Sequence, residues 1–127
     1  LVDAPCTGSG TWRRKPDAKW RLKPDSLAQR TASQIRVLDA AAQLVRPGGR
    51  LIYVTCSVLA EENTAQISTF FARHSHFRVE PWRDAWRNSL PSAPPEHSAD
   101  RRDDTLLLTP ASHGTDGFFI ASLQRTA

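Results

Sequence analysis

Residues 50–56, Arg-Leu-Ile-Tyr-Val-Thr-Cys, limit the fold more than any other segment, because their apolar side chains occupy consecutive positions. A short run of this kind, rich in β-branched residues, is typical of a parallel strand that is covered on both faces of its sheet. Pro47, Gly48 and Gly49 stand directly before the run and end the helix that precedes it. The segment therefore predicts an open α/β sheet that contains this strand.

The rest of the chain alternates helices and strands around this central one. Two segments have apolar residues at helical spacing, and their predicted helices start near Ser26 and at Glu61. Four more segments are predicted as strands, at residues 1–4, 77–79, 106–108 and 118–123. Residues 11–24 are predicted to be a polar connection, and residues 83–104, with three prolines, a long mobile loop. The order of elements is that of the second half of an open α/β sheet.

Length and composition exclude several classes of protein. The 127 residues fit one domain, and no segment approaches the roughly 18 consecutive apolar residues of a membrane helix. For the same reason no membrane partner is expected. Two cysteines do not make a disulfide framework, so a reducing, cytoplasmic location is expected. No metal site is predicted, because no Cys-x-x-Cys pair occurs, and His74 and His76 are expected at the surface, away from both thiols.

Positive charge is concentrated in one part of the chain. The net charge is +4, but residues 12–36, here called the basic segment, carry eight basic and two acidic residues. The net charge of the basic segment is therefore +6, and that of the remaining residues is −2. It also contains Trp12 and Trp20, and indole rings beside Arg and Lys are typical of nucleic-acid contacts. The alternative is a solvated basic loop with both tryptophans in the core.

The two cysteines follow two different predicted strands. Cys6 lies just after the first strand and Cys56 ends the central one. Ligands bind at the carboxyl ends of strands in open α/β sheets, and neighbouring strands would bring these two loops together. A thiolate in such a place is a candidate nucleophile, whereas the alternative is a pair of buried, inert cysteines.

Six segments together resemble the Sun/Fmu family of S-adenosylmethionine-dependent RNA cytosine-5 methyltransferases. They include Asp-Ala-Pro-Cys at 3–6 and Thr-Cys-Ser at 55–57, of which only the combination is specific. The full set of matching segments is residues 3–10, 13–20, 48–49, 53–58, 61–63 and 116–119. The resemblance covers nearly the whole chain apart from residues 83–104.

The resemblance implies a covalent mechanism. Cys56 would attack ring carbon 6 of a flipped cytosine, and ring carbon 5 would then take a methyl group from S-adenosylmethionine. Cys6 would assist product release, and Asp3 would contact the cytosine or, with Pro5, the cofactor. The signature at 116–119 would have a structural role, with Phe118 and Phe119 packing the sheet. The residues expected to bind RNA are Arg13, Arg14, Lys15, Lys19, Trp20, Arg21 and Lys23.

The resemblance also implies a partial domain. The expected fold is the C-terminal half of a Rossmann-like class I methyltransferase sheet, mostly parallel with an antiparallel last strand. Residues 1–127 would be a partial catalytic domain, because the family's glycine-rich cofactor loop and its amino-terminal RNA-binding region do not occur in them. Weak or no methyl transfer by this chain alone is therefore expected, as is self-association through the truncated edge of the sheet.

Two alternatives remain open on the sequence, and a third, the amino-methyltransferase, is disfavoured by the residue at position 6. A DNA cytosine-5 methyltransferase would use Cys6, in its Pro-Cys motif, as the nucleophile. An amino-methyltransferase would have an aromatic residue where Cys6 stands. A non-catalytic RNA-binding module would use both cysteines only for packing. The family includes enzymes for ribosomal and for transfer RNA. Ribosomal RNA is the expected partner, since the short segment after the last strand resembles the bacterial small-subunit enzymes.

Overall fold

One five-stranded sheet organises the computed structural model, which describes all 127 residues. The strands are β1 (Val2–Asp3), β2 (Arg50–Thr55), β3 (Phe77–Glu80), β4 (Leu106–Leu108) and β5 (Phe118–Arg125). Strand β1 pairs with β2 in parallel, and β5 is antiparallel to β2, β3 and β4. Four strands thus share one direction and the last strand opposes them, which confirms the predicted fold class.

Helices α2 and α3 cover one face of the sheet. The helices are α1 (Pro16–Arg21), α2 (Ser26–Leu44), α3 (Thr64–Arg73), α4 (Trp82–Ser89) and α5 (Pro110–His113). Helix α2 buries Leu38 and Ala42, one helical turn apart, and α3 buries Phe70 against them. Tyr53 of β2 and Phe119 of β5 complete this core edge to face, with ring centroids 6.2 Å apart.

The opposite face of the sheet is only partly covered. Strand β2 buries Leu51, Tyr53 and Thr55, whereas Ile52 and Val54 on the other face remain half-buried. Helix α4 lies over this second face and leaves a groove of about 230 Å³, lined mainly by apolar side chains. The prediction that β2 is covered on both faces is therefore right for one face and only in part for the other.

Two helices lie inside segments that were predicted to be loops. Helix α1 lies within residues 11–24, and none of its side chains is buried, so it has no apolar stripe for a sequence pattern to reveal. Helix α4 opens the segment 83–104, where the loop prediction is wrong as far as Ser89. Its Trp82 is buried, and the indole donates to the Arg102 carbonyl at 3.0 Å. Mobility of residues 90–104 stays a prediction.

Two side chains have environments opposite to the expected ones. His74 is only 8% exposed, because its ring stacks on Phe70 at 4.4 Å and its Nε2 lies 2.7 Å from an Asp39 carboxylate oxygen. The prediction of a surface position for His74 is therefore wrong. Phe119 is fully buried as predicted, but Phe118 is 37% exposed because it lies on the less covered face of the sheet.

None of the helices is long and apolar enough to cross a membrane. Strand β1 pairs with β2 on one side only, so it forms an edge of the sheet. Self-association through that edge stays a prediction.

Candidate active site

The parallel pairing of β1 and β2 places the two cysteines together. Val2 is opposite Tyr53 and Asp3 opposite Val54, so both strands end at the same edge of the sheet. Cys6 follows three residues after β1 and Cys56 directly after β2. Their Sγ atoms are 3.4 Å apart, within hydrogen-bond distance, and both thiols are free and half-buried. The predicted meeting of the two loops is confirmed.

The environment of Cys6 keeps it protonated. Burial raises the pKa of the Cys6 thiol to about 12, and its hydrogen bond with Cys56 acts in the same direction. A thiol that holds its proton at neutral pH is a weak nucleophile, but it can donate a hydrogen bond to a neighbouring sulfur. Cys6 is therefore better suited to donate a hydrogen bond to Cys56 than to attack a substrate.

A buried carboxylate lies beneath both cysteine loops. Glu62 is fully buried, and its Oε2 accepts from the Thr7 amide at 2.9 Å and from the Gln34 amide at 2.8 Å. Its Oε1 accepts from the hydroxyls of Thr7 and of Ser57, at 2.5 and 2.7 Å. Thr7 follows Cys6 and Ser57 follows Cys56 in sequence. One side chain therefore contacts the residue after each cysteine.

Sequence reasoning did not assign Glu62 or Gln34 to the site. Glu62 belongs to the matching segment 61–63, where the second helix is predicted to start, but it lies in the short 3₁₀ turn Ala60–Glu62 before α3. Gln34 is fully buried, one turn before Leu38 on the buried face of α2. A polar residue on an apolar stripe was the available signal, since buried polar groups need hydrogen-bond partners.

Two glycines bring a third loop against the cysteine loops. The Gly10 amide donates to the Cys56 carbonyl at 2.9 Å, and the Gly117 amide donates to the Gly10 carbonyl at 2.8 Å. A Cβ at Gly10 would overlap the backbone of Gly117, and a Cβ at Gly117 would lie 2.5 Å from a Val58 methyl group. Only glycine fits at either position. The Asp-Gly-Phe-Phe segment (116–119) and the Gly-Ser-Gly segment (8–10) therefore pack together as one structural unit.

Asp116 connects that unit to the basic segment. Its carboxylate oxygens lie 2.6 Å from Arg14 Nε and 3.2 Å from an Arg13 guanidinium nitrogen. Hydrogen bonds from Arg14 and then Arg13 hold the pKa of the Asp116 carboxyl below its usual value. Two of the predicted RNA-binding arginines are therefore ion-paired, although their side chains stay about half exposed.

The other predicted RNA-binding side chains are at the surface. Trp20 is 81% exposed, and Lys19 Nζ lies 5.3 Å from the centroid of its ring and 5.9 Å from that of Trp12. Lys15, Arg21 and Lys23 are exposed as well. The alternative in which both tryptophans lie in the core is therefore wrong for Trp20, while Trp12 is half-buried.

A cleft of about 220 Å³ joins the basic segment to Cys6. It is lined by Cys6 and Thr7 on one side and by helices α1 and α2 on the other, where Arg21 and Arg30 contribute. Arg30 was counted in the basic segment but not assigned to the site. Cys56 does not line this cleft, although its sulfur is 3.4 Å from that of Cys6.

Asp3 and Pro5, the residues expected to contact cofactor, differ in what they offer. Asp3 is exposed at the end of β1, and its carboxylate has no hydrogen bond or ion pair in the structure, so it is free to accept from a ligand. The carbonyl of Pro5 already accepts from Gln34 at 2.9 Å. Of these two residues, Asp3 therefore fits one polar contact to a cofactor, through its carboxylate. No group of three or more His, Cys, Asp or Glu side chains is arranged to hold a metal ion.

Comparisons with known proteins place these features in context. The family model described as 16S rRNA methyltransferase RsmB/F matches residues 1–124. A probable ribosomal RNA small subunit methyltransferase B of Synechocystis is 38% identical over 125 residues, which is 98% of this chain and 26% of that protein. The Thermus thermophilus ribosomal RNA small subunit methyltransferase B is 37% identical, with 98% and 28% covered. The chain thus spans about a quarter of the length of these relatives.

Solved structures agree with the family match. The crystal structure of NSun6 from Pyrococcus horikoshii with SFG, an analogue of S-adenosylmethionine, superposes with a TM-score of 0.75 at 25% identity. The superposition covers all of this chain and 29% of the NSun6 chain. A methyltransferase homologue from the same organism gives a TM-score of 0.70 at 29% identity, covering 98% of this chain and 38% of the other.

Proposed function

Because this chain belongs to the RsmB/F family of 16S rRNA methyltransferases, we propose that it carries the two-cysteine part of an RNA cytosine-5 methyltransferase site. The contact between the sulfurs of Cys6 and Cys56, at the ends of two parallel strands, is the observation that carries this proposal. The proposed substrate is small-subunit ribosomal RNA, and its support is the names of the relatives.

Cys56 is the proposed nucleophile. Its thiolate forms a bond to ring carbon 6 of the cytosine, which makes ring carbon 5 nucleophilic. S-adenosylmethionine, when bound, would supply the methyl group that carbon 5 accepts and would leave as S-adenosylhomocysteine. A base then removes the carbon-5 proton, and the bond between Cys56 and carbon 6 breaks to return the thiolate. The target base must leave its stack for this attack, and single-stranded or loop RNA permits that at low cost.

Cys6 is proposed to assist the last step. Its raised pKa keeps it a thiol at neutral pH, 3.4 Å from the sulfur that must leave. A hydrogen bond to a sulfur that gains negative charge is stronger than one to a neutral sulfur. Cys6 thus stabilises the departing thiolate, and Asp3, with a free carboxylate, contacts the cytosine edge or the cofactor.

The cleft beside Cys6 is the proposed entry for the base. Arg21 and Arg30 line it and supply positive charge for the flanking phosphates. Exposed Trp20, with Lys19 beside its ring, offers a surface on which an unpaired base stacks. Arg13, Arg14, Lys15 and Lys23 extend the proposed RNA-binding surface.

The cofactor site is proposed to need more residues than this chain supplies. Asp3 and Pro5 are its only proposed contacts here, and the relatives are about four times longer. Titration of the purified chain with S-adenosylmethionine by calorimetry is expected to give no detectable heat. Binding near micromolar affinity, about 8 kcal/mol, would contradict this part of the proposal.

One observation favours a second assignment of roles. Cys6 lines the cleft and Cys56 does not. A mechanism with Cys6 as the nucleophile would require Cys6 to face the entering base in this way. The raised pKa of Cys6 opposes that assignment, because a thiol is a weaker nucleophile than a thiolate.

Covalent trapping tests both assignments. Residues 1–127 are grafted into the Thermus thermophilus relative in place of its matching segment and given RNA with 5-fluorocytosine at the target site. The fluorine at carbon 5 prevents the release step, so an adduct accumulates. Trapping should fail for Cys56→Ala and persist for Cys6→Ala. The reverse pattern would assign attack to Cys6, and RNA binding without any adduct would favour a non-catalytic module.

A further inference from the structure

We propose that Glu62 is a positioning residue that sets the contact between the two cysteines. This inference builds on the proposed function, since a two-cysteine mechanism needs both sulfurs in one place. Glu62 lies in neither cysteine loop, and no hydrogen bond joins it to either sulfur. Its carboxylate instead binds the residue that follows each cysteine, namely Thr7 and Ser57.

The hydrogen bonds of Glu62 use all of its capacity. An ionised carboxylate accepts about four hydrogen bonds, and Glu62 receives four, from one backbone amide, two hydroxyls and the Gln34 amide. Gln34 also donates to the Pro5 carbonyl at 2.9 Å, directly before Cys6. Residues on both sides of Cys6 are thereby connected to one buried carboxyl group.

No basic side chain pairs with the buried carboxyl group of Glu62. Glu62 is fully buried, and none of the ion pairs in the structure includes it. A buried carboxylate is costly unless hydrogen bonds replace its water. Replacement of buried ionic groups by apolar side chains of similar volume is often neutral or stabilising. General stability therefore does not explain a carboxylate here, whereas the directional connection of two loops does.

The other hydrogen bonds between the two loops, apart from the contact of the sulfurs, lie three or four residues after Cys6. Before Cys6, the Ala4 amide donates to the Val54 carbonyl of β2 at 2.9 Å. The Gly10 amide binds the Cys56 carbonyl, and the hydroxyls of Ser9 and Ser57 are 3.0 Å apart. These contacts fix the end of the first loop, three or four residues after Cys6. At Thr7 the connection to the second loop runs through Glu62, so loss of this carboxylate frees Cys6 more than it frees Gly10.

An equilibrium with glutathione measures how well the two sulfurs are held together. Cys6 and Cys56 each lose a proton and together give two electrons to glutathione disulfide, which yields one protein disulfide and two glutathione thiols. The equilibrium constant reports the effective concentration of one thiol at the other. It is measured on the purified chain by acid quenching and mass spectrometry.

Three variants separate positioning from general stability. Glu62→Ala removes the carboxylate, and Thr7→Val removes one donor to it while keeping the shape of the side chain. Tyr53→Phe is the control, because its hydroxyl donates to the Glu62 backbone carbonyl at 2.7 Å and not to the carboxylate. Glu62→Ala and Thr7→Val should each lower the constant at least tenfold, about 30 mV in reduction potential, and Tyr53→Phe less than twofold.

Several results would overturn the proposal. An equilibrium constant of Thr7→Val with glutathione that lies within twofold of the wild-type constant would overturn it. If Glu62→Ala does not fold, the result for Thr7→Val alone tests the proposal. An equal loss in Tyr53→Phe would show general loosening, and a wild-type chain that forms only mixed disulfides with glutathione would show that the sulfurs are not held in contact. Since no methyl transfer is measured, failure of the trapping experiment and failure here are distinguishable.

Discussion

The cysteine loops and the basic segment meet at one cleft, yet they are built in opposite ways. Around Cys6 and Cys56, buried hydroxyls, amides and the Glu62 carboxylate form a connected set of hydrogen bonds. Across residues 12–25 no side chain is buried, and Trp20 is almost fully exposed. The first region holds two sulfurs in fixed geometry, while the second presents charge and an aromatic ring to solvent. Substitutions should therefore affect stability in the first region and binding in the second.

The largest loss of stability is expected at Gly10. Gly10→Ala places a Cβ on the Gly117 backbone, where no flexible side chain can move away, and should cost about 3 kcal/mol in the free energy of unfolding. Urea denaturation measures this. Gly48→Ala is the matched control, because Gly48 has a φ of +75° but open space around it, and should cost only about 1 kcal/mol. Equal losses of unfolding free energy in the two variants would show that the contact between Gly10 and Gly117 tolerates movement.

Trp20→Ala should weaken RNA binding without affecting the fold. Loss of one stacking surface costs about 1–3 kcal/mol, roughly 5- to 150-fold in Kd, while the free energy of unfolding should change by less than about 0.5 kcal/mol. Fluorescence anisotropy with a single-stranded RNA measures the first quantity and urea denaturation the second. Leu44→Ala, which removes an exposed apolar side chain of α2 outside the basic segment, should leave Kd unchanged. An unchanged Kd for Trp20→Ala would contradict the role of this ring.

Asp116 is where the two regions connect, and its contribution should depend on pH. Its pKa is lowered in the folded state, so the ionised form stabilises the fold above the unfolded value of about 3.9. That contribution is lost as the pH falls through the folded-state pKa. The Tm of Asp116→Asn should therefore lie below that of wild type at pH 7, and the gap should close below about pH 4. Asp103→Asn, an exposed control, should show no such gap.

The smallest effect is expected within the basic segment itself. Arg21 and Asp17 form an ion pair one helical turn apart at 2.5 Å, with both side chains largely exposed. Such pairs contribute about 0.5 kcal/mol or less to stability. Asp17→Asn should therefore change the free energy of unfolding by no more than this, as measured by urea denaturation. A loss above about 1 kcal/mol would mean that α1 packs more tightly than its exposure indicates.

Sequence patterns predicted the elements that bury apolar faces. The run at 50–56 and the helical spacing of Leu38 and Ala42 placed β2 and α2 correctly, because burial imposes a period on the sequence. Helix α1 buries nothing and left no such pattern. Helix α4 did leave one, since Trp82 and Trp86 are four residues apart after Pro81, but the later prolines favoured a loop.

The site could be predicted only where its residues lie at strand ends. Cys6 and Cys56 were located because parallel neighbours end at the same edge. Glu62 and Gln34 come from two other elements, and their meeting beneath the loops depends on how α2 and the turn before α3 pack. The pairing of Arg13 and Arg14 with Asp116 spans about a hundred residues and has no local signal.

Mapping the RNA adduct on unmutated protein tests the central claim most directly. The grafted protein is trapped on 5-fluorocytosine RNA, digested with protease and nuclease, and the modified peptide is identified by mass spectrometry. We expect a nucleotide on Cys56, in the peptide that contains Thr55 and Ser57, and an unmodified Cys6. A nucleotide on Cys6 would contradict it.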